Sequence, residues 1–170
     1  FVWWEKQDGL PRRLRISRIS EKLKKYIWYI CIIVLIQLMI GAYLSTSYHR
    51  AACNIGFYEG WPLCQSSILP VLKQFGIMLN YGHRVSAVVV GALLLYVERE
   101  ANNEFKDSKA IVKVMLKTAG IIYFINILLG GLYVVTAVDG IFLGWLSLLH
   151  LLVGVCVFLT LATTYLLINI

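Results

Sequence analysis

"NYGHRVSAVVVGALLLY", residues 80–96, decides the fold. Its body is a continuous apolar run suited to lipid, yet it opens with His83 and Arg84 side by side. Ionisable groups inside a membrane span are expensive and rarely kept without a role. The stretch therefore reads as a membrane helix that begins at a site.

The rest of the chain agrees with that reading. Of 170 residues, 59% are hydrophobic and 15% charged, and the mean hydropathy is +0.75. A soluble domain of this length has too much surface for its volume to hide such a share of apolar side chains. The net charge of +7 does not indicate nucleic acid, because of where the charges fall. Lys6, Arg12, Arg13, Arg15, Arg18, Lys22, Lys24 and Lys25 precede the first apolar run, and Arg99, Lys106, Lys109, Lys113 and Lys117 surround the second polar connection. Only Arg50, Lys73 and Arg84 lie elsewhere. That asymmetry is the positive-inside pattern of a multi-pass membrane protein.

Four spans of about 20 residues each follow: roughly 26–45, 74–97, 114–137 and 141–166. The expected fold is an all-α membrane protein, a four-transmembrane-helix bundle built from two helical hairpins. Residues 1–25 form a cytoplasmic or interfacial basic arm, and 26–170 the transmembrane domain. Basic residues inside place both termini and the 98–113 loop in the cytoplasm, with the 46–73 loop and the turn at Asp139-Gly140 outside. The first helix is too long and lacks a small-residue cleavage site, so it is not read as a removed signal peptide. The aromatic and basic arm suits anionic headgroups, a docking segment for a partner protein being the other reading.

A faint repeat runs through the chain. "IQLMIGAYL" (36–44) aligns with "INILLGGLY" (125–133), each with an amide second and a glycine sixth, Gly41 and Gly130. Each precedes a helix carrying one histidine in its outer portion, His83 and His150. Both histidines fall nine residues into spans running from outside to inside, roughly 13 Å below the outer edge at the helical rise. Neutral imidazoles at one depth suit the axial positions of a haem iron. The alternative is a simple hydrogen bond from each to a neighbouring helix. Gly91 is eight residues after His83 and Gly154 four after His150, so each lies broadly on its histidine's side and leaves room for a flat ring. Zinc or copper lacks a completed ligand set nearby. Arg84 has two readings, a bidentate clamp on haem propionates and a side chain snorkelling to the outer interface.

The outer loop carries Cys53 and Cys64, a pair expected to bridge in an oxidising compartment and so to restrict a lid over the bundle. No Cys-x-x-Cys spacing favours redox chemistry. Cys31 and Cys156 lie in helices as small hydrophobes. His49, in the loop, is expected at the surface or at an entrance to the haem.

"GWPLC" (60–64) after Cys53, "GHR" (82–84), and "LLGGLYVVTA…WLSLLHLLVG" (128–154) resemble the haem A synthase family. The resemblance covers roughly residues 30–168. Members of that family have eight helices in two halves, each with a histidine pair, and oxidise a methyl group of haem O to form haem A for terminal oxidases. The cysteine loop matches the N-terminal, catalytic half, where the family's loop cysteines form a disulfide, although this chain places a few more residues between them. The resemblance implies His83 and His150 as axial ligands of a b-, o- or a-type haem. It also implies a multi-pass protein of a prokaryotic plasma membrane in a respiratory chain. Because it covers one half, the chain is expected to pair with itself, to join terminal oxidase subunits, or to work with one haem site.

One departure bears on the chemistry. Three residues before the first histidine the family carries a glutamate implicated in the oxidation; here stands Asn80. An amide hydrogen-bonds but carries no charge and shuttles no proton at neutral pH. Glu59 and Asp139 are the outer acids that remain, with Glu59 the candidate substitute. The leading expectation is a compact haem A synthase-type oxidoreductase. A non-catalytic haem-binding or electron-transfer subunit of an oxidase complex is the alternative, and a purely structural subunit the third.

Overall fold

The computed structural model describes residues 19–106 and 110–169. They form α1 (Glu21–Thr46), a 3-10 turn (Tyr48–Ala51), α2 (Phe75–Glu104), α3 (Ile111–Val135) and α4 (Gly144–Leu167). All four α-helices are long and apolar enough to cross a membrane, and the described residues contain only isolated β-bridges, no strands. The chain is an all-α membrane bundle. Most of the expected arm, residues 1–18, lies outside the described residues.

The helix ends depart from the hydropathy boundaries for local reasons. α1 begins at Glu21 and not at Tyr26, because Ser20 caps it: the Ser20 hydroxyl accepts a bond from the Leu23 amide at 3.2 Å. α2 runs on to Glu104, where its carboxylate accepts from the Ser20 amide and hydroxyl, both at 2.6 Å. Lys22 meets Glu100 at 3.3 Å on the same flank. Hydropathy stops at the first charges, whereas a helix stops where its terminal backbone groups find other partners. α4 starts at Gly144 and not at Ile141, because Val138 and Ile141 exchange backbone hydrogen bonds across a tight turn. Asp139 and Gly140 take positive φ there, 51° and 76°, a conformation open to glycine and tolerated by aspartate.

Each helix packs on the next, and α4 packs back on α1. Leu23, Ile27, Ile30 and Val34 of α1 recur at helical spacing and are buried. They meet Val90, Leu94, Val97 and Ala101 of α2, Val112, Leu116 and Ala119 of α3, and Val157 and Leu161 of α4. The opposite faces expose Met39, Val89, Leu95 and Phe124, as lipid-facing positions do. Within a bilayer, leaving lipid gives little hydrophobic gain, so close van der Waals fit holds the helices together. Fully buried Ala101 and Ala119 allow that close approach.

This solid packing fills the half of the bundle away from the long loop. At the other end the helices part around a cavity. The 47–74 connection lies there, stitched by the Cys53–Cys64 disulfide, whose sulfurs bury with Ile77 in a small separate cluster.

Candidate functional site: a cavity between two histidines

The cavity has a volume of about 290 Å³ and is lined from all four helices and the loop. That is near the lower end of the size range of ligand sites, roughly 300 Å³ upward. His83 of α2 and His150 of α4 both line it. Tyr123 and Val157, which belong to the packed core, line its inner end.

Each imidazole is set by the helix that precedes it in the chain. Gly41 of α1 lies against His83, where a Cβ would come 3.0 Å from Cε1. Gly130 of α3 lies against His150, where a Cβ would come 2.9 Å from Cε1. One helical turn before each glycine stands an amide residue that also contacts the ring, Gln37 through its side chain and Asn126 through its backbone. The Gln37 amide nitrogen is 3.1 Å from His83 Nδ1, and the Asn126 backbone carbonyl is 2.9 Å from His150 Nδ1. The two glycines of the sequence repeat thus meet the two histidines alike, while the two amide residues meet them through different groups. Gln37 and Asn126 carried no assigned role in the sequence; the repeat was the signal that pointed to them.

The glycines expected beside the rings are placed differently. Gly91 is not among the cavity-lining residues; a Cβ there would meet the Tyr123 ring at 3.5 Å. Gly154 does line the cavity, but it accommodates Leu38, 2.7 Å from where its Cβ would be, and the Asn126 side chain at 3.2 Å. Eight residues from His83, Gly91 is two turns deeper, inside the packed half. Gly41 and Gly130, contributed across the helix interfaces, are the glycines that touch the imidazoles.

Arg84 lines the cavity and also fastens the loop. Its Nε donates to Asn80 Oδ1 at 3.0 Å, and Nη1 donates to the carbonyls of Gly60 and of Leu63, the latter at 2.7 Å. Snorkelling toward the interface does not describe a guanidinium tied to three acceptors. Its Nη2 is buried without a hydrogen-bond partner, as is Oδ1 of Asn126.

Asn80 is buried, and its amide is fully engaged. Nδ2 donates to the carbonyls of His49 and Arg50, both at 3.1 Å, while Oδ1 accepts from Arg84. The residue joins the 3-10 turn to α2 and to the arginine. Glu59 is exposed on the loop and is not among the cavity-lining residues, so the structure does not put it where a substitute acid would act. Among the described residues no Asp or Glu lines the cavity.

The loop reaches into the bundle mouth. Trp61 lines the cavity and packs on Gly131, where a Cβ would come 2.6 Å from Cε2 of the indole. The Gly56 amide donates to the Val134 carbonyl at 3.1 Å. His49 is buried, not at the surface, because the 3-10 turn presses it onto Gly76, 2.6 Å from the position of a Cβ there. It is not among the cavity-lining residues. The expected Cys53–Cys64 bridge is present; Cys31 is buried in the core and Cys156 exposed on the outside of α4.

Fold and site define a multi-pass helical membrane protein with a histidine-flanked cavity at one end, closed by a cross-linked loop. The chain belongs to the COX15-CtaA family of cytochrome oxidase assembly proteins, whose model matches residues 1–162. It is similar to the heme A synthase of Shouchella clausii (strain KSM-K16), with 24% identity over 106 residues that cover 62% of this chain and 34% of that protein. The chain thus spans about a third of the length of that curated relative. No solved structure matches it.

Proposed function

We propose that the cavity binds a haem between His83 and His150, and that the chain acts in haem A formation by oxidising the methyl group of haem O. The observation that carries this reading is the pair of imidazoles on one cavity, each backed by a glycine that a side chain would replace. Among the described residues no three His, Cys, Asp or Glu cluster as a metal site. A two-imidazole donor set therefore suits a metal whose remaining ligands come with a macrocycle. The buried, unpartnered Nη2 of Arg84 fits a propionate carboxylate, for which guanidinium is the preferred partner.

When bound, the iron would supply the oxidising chemistry. The protein's part is to hold the ring, orient its edge and keep water out. His150 donates from Nδ1 to the Asn126 carbonyl, which fixes its ring plane. Trp61 and Arg84 close the mouth from the loop side. The working geometry has the loop and both termini on the sides the basic residues indicate, in the plasma membrane of a prokaryote. Self-association or docking on oxidase subunits belongs to the same reading.

A second reading has its own support. No carboxylate lines the cavity among the described residues, and Asn80 is held as an amide by carbonyls. Those facts favour a non-catalytic haem-binding or electron-transfer subunit of an oxidase complex. Acid–acetone extraction of pigment from the purified protein, with mass identification, separates the readings. Haem O together with its hydroxylated or formyl product supports the synthase. Haem B alone supports the accessory subunit, and no haem in a folded preparation overturns both.

A further inference from the structure

The two imidazoles are matched in position but not in hydrogen bonding. His150 Nδ1 faces a backbone carbonyl, Asn126 O, at 2.9 Å. A carbonyl only accepts, so in the neutral ring the proton sits on Nδ1 and Nε2 keeps its lone pair. A metal-binding histidine is ordinarily held this way.

His83 Nδ1 instead faces the side-chain amide of Gln37. The orientation of that amide is set by its other neighbours. Its Nε2 lies 2.9 Å from the His83 carbonyl, which can only accept, and its Oε1 lies 2.7 Å from the Ser86 hydroxyl, whose other acceptor is the same carbonyl at 3.0 Å. Turning the amide over would set Oε1 against the His83 carbonyl oxygen, two acceptors in contact. With the amide so fixed, its second N–H points to His83 Nδ1 at 3.1 Å. Nδ1 must then accept, and the ring proton sits on Nε2.

We propose that Gln37 is a positioning residue that holds His83 in the tautomer opposite to that of His150, making the two sides of the cavity chemically unequal. His150 offers a free ring nitrogen, and His83 offers an N–H. Resting on the haem-site reading, this makes His150 the standing ligand and His83 a ligand only after rearrangement. Ligation by His83 requires the Nε2 proton to leave, a proton to be taken up at Nδ1, and the Gln37 amide to turn so that Oε1 accepts it. The repeat encodes the difference. The aligned positions are Gln37 and Asn126; the longer side chain reaches its histidine, while at the shorter one the backbone carbonyl makes the contact and Oδ1 remains unpartnered.

The chain has three histidines, so nitrogen-15 histidine labelling of the haem-free protein in detergent gives a readable tautomer spectrum. The expected result is His83 protonated at Nε2 and His150 at Nδ1. Finding both rings in one tautomer, or His83 protonated at Nδ1, overturns the proposal. The second measurement loads the protein with ferric haem and titrates cyanide. Gln37→Leu frees His83 to ligate, so cyanide affinity should fall by about tenfold, the lower end of second-shell effects. Unchanged affinity in Gln37→Leu overturns the proposal as well. Should Gln37→Leu misfold, Ser86→Ala, which removes the hydroxyl that orients the amide, replaces it with the same expected direction. Failure of the haem reading is seen separately, as no haem taken up, while the tautomers of the haem-free chain remain measurable.

Discussion

Gly130 and His150 are in contact across the α3–α4 interface so closely that a Cβ on Gly130 would come within 2.9 Å of Cε1 and 3.3 Å of Nδ1. Gly41 and His83 repeat the relationship between α1 and α2 at 3.0 Å. An imidazole meeting a new methyl group at that distance must move, and His150 would lose its bond to the Asn126 carbonyl. Gly130→Ala should therefore lower haem occupancy of the purified protein by roughly tenfold. The helix itself gains up to about 1 kcal/mol from the change, so the thermal midpoint should fall little or rise. A variant that keeps full haem content would dissociate the glycine from the site.

Arg84 links α2 to the loop through the carbonyls of Gly60 and Leu63 and through Asn80. Arg84→Leu leaves those acceptors buried and unpaired, at about 1–3 kcal/mol for each that water does not reach. The loop should become sensitive to protease while the four helices persist by circular dichroism. Arg84→Lys should restore little, since an ammonium lacks the planar fork that spans several acceptors.

Asn80 donates to two carbonyls, so a glutamate at this position would set acceptors against acceptors. Asn80→Glu, the substitution that restores the family's acid, should loosen the Tyr48–Ala51 turn. Hydrogen exchange of the amides of residues 48–53 should quicken by about tenfold, the equivalent of one lost hydrogen bond. If exchange is unchanged and methyl oxidation of haem O rises, the amide is a replaceable relic of a catalytic acid.

Cys53 and Cys64 are separated by 11 positions and close the loop that carries Trp61. A cross-link of that span stabilises the closed loop by about 3 kcal/mol through the entropy of the open chain. Reduction, or Cys53→Ser with Cys64→Ser, should release Trp61 from Gly131 and red-shift tryptophan emission. The bundle core, buried in a separate cluster, should keep its helical content.

The sequence by itself determined the class, the spans of the four described helices and the end of the bundle that holds the candidate site. Composition forced a membrane protein, continuous apolar runs forced helices, and His83, His150 and the cysteine pair were legible because such residues are costly or unusual where they stand, while Asn80 stood out only through the family resemblance. Periodicity along one helix does not say which residue of another helix it will meet. Gly91 and Gly154 were read from spacing along the histidine's own helix; Gly154 does line the cavity, but the glycines set against the imidazoles, Gly41 and Gly130, come from neighbouring helices. The bonds of Arg84 to the loop, the burial of His49 and the full engagement of Asn80 were decided the same way, by a loop folding back on α2. The inequality of the two histidines came last. It depends on whether a side-chain N–H or a backbone carbonyl faces Nδ1, and a difference of one methylene between Gln37 and Asn126 acquires that meaning only when the helices are assembled.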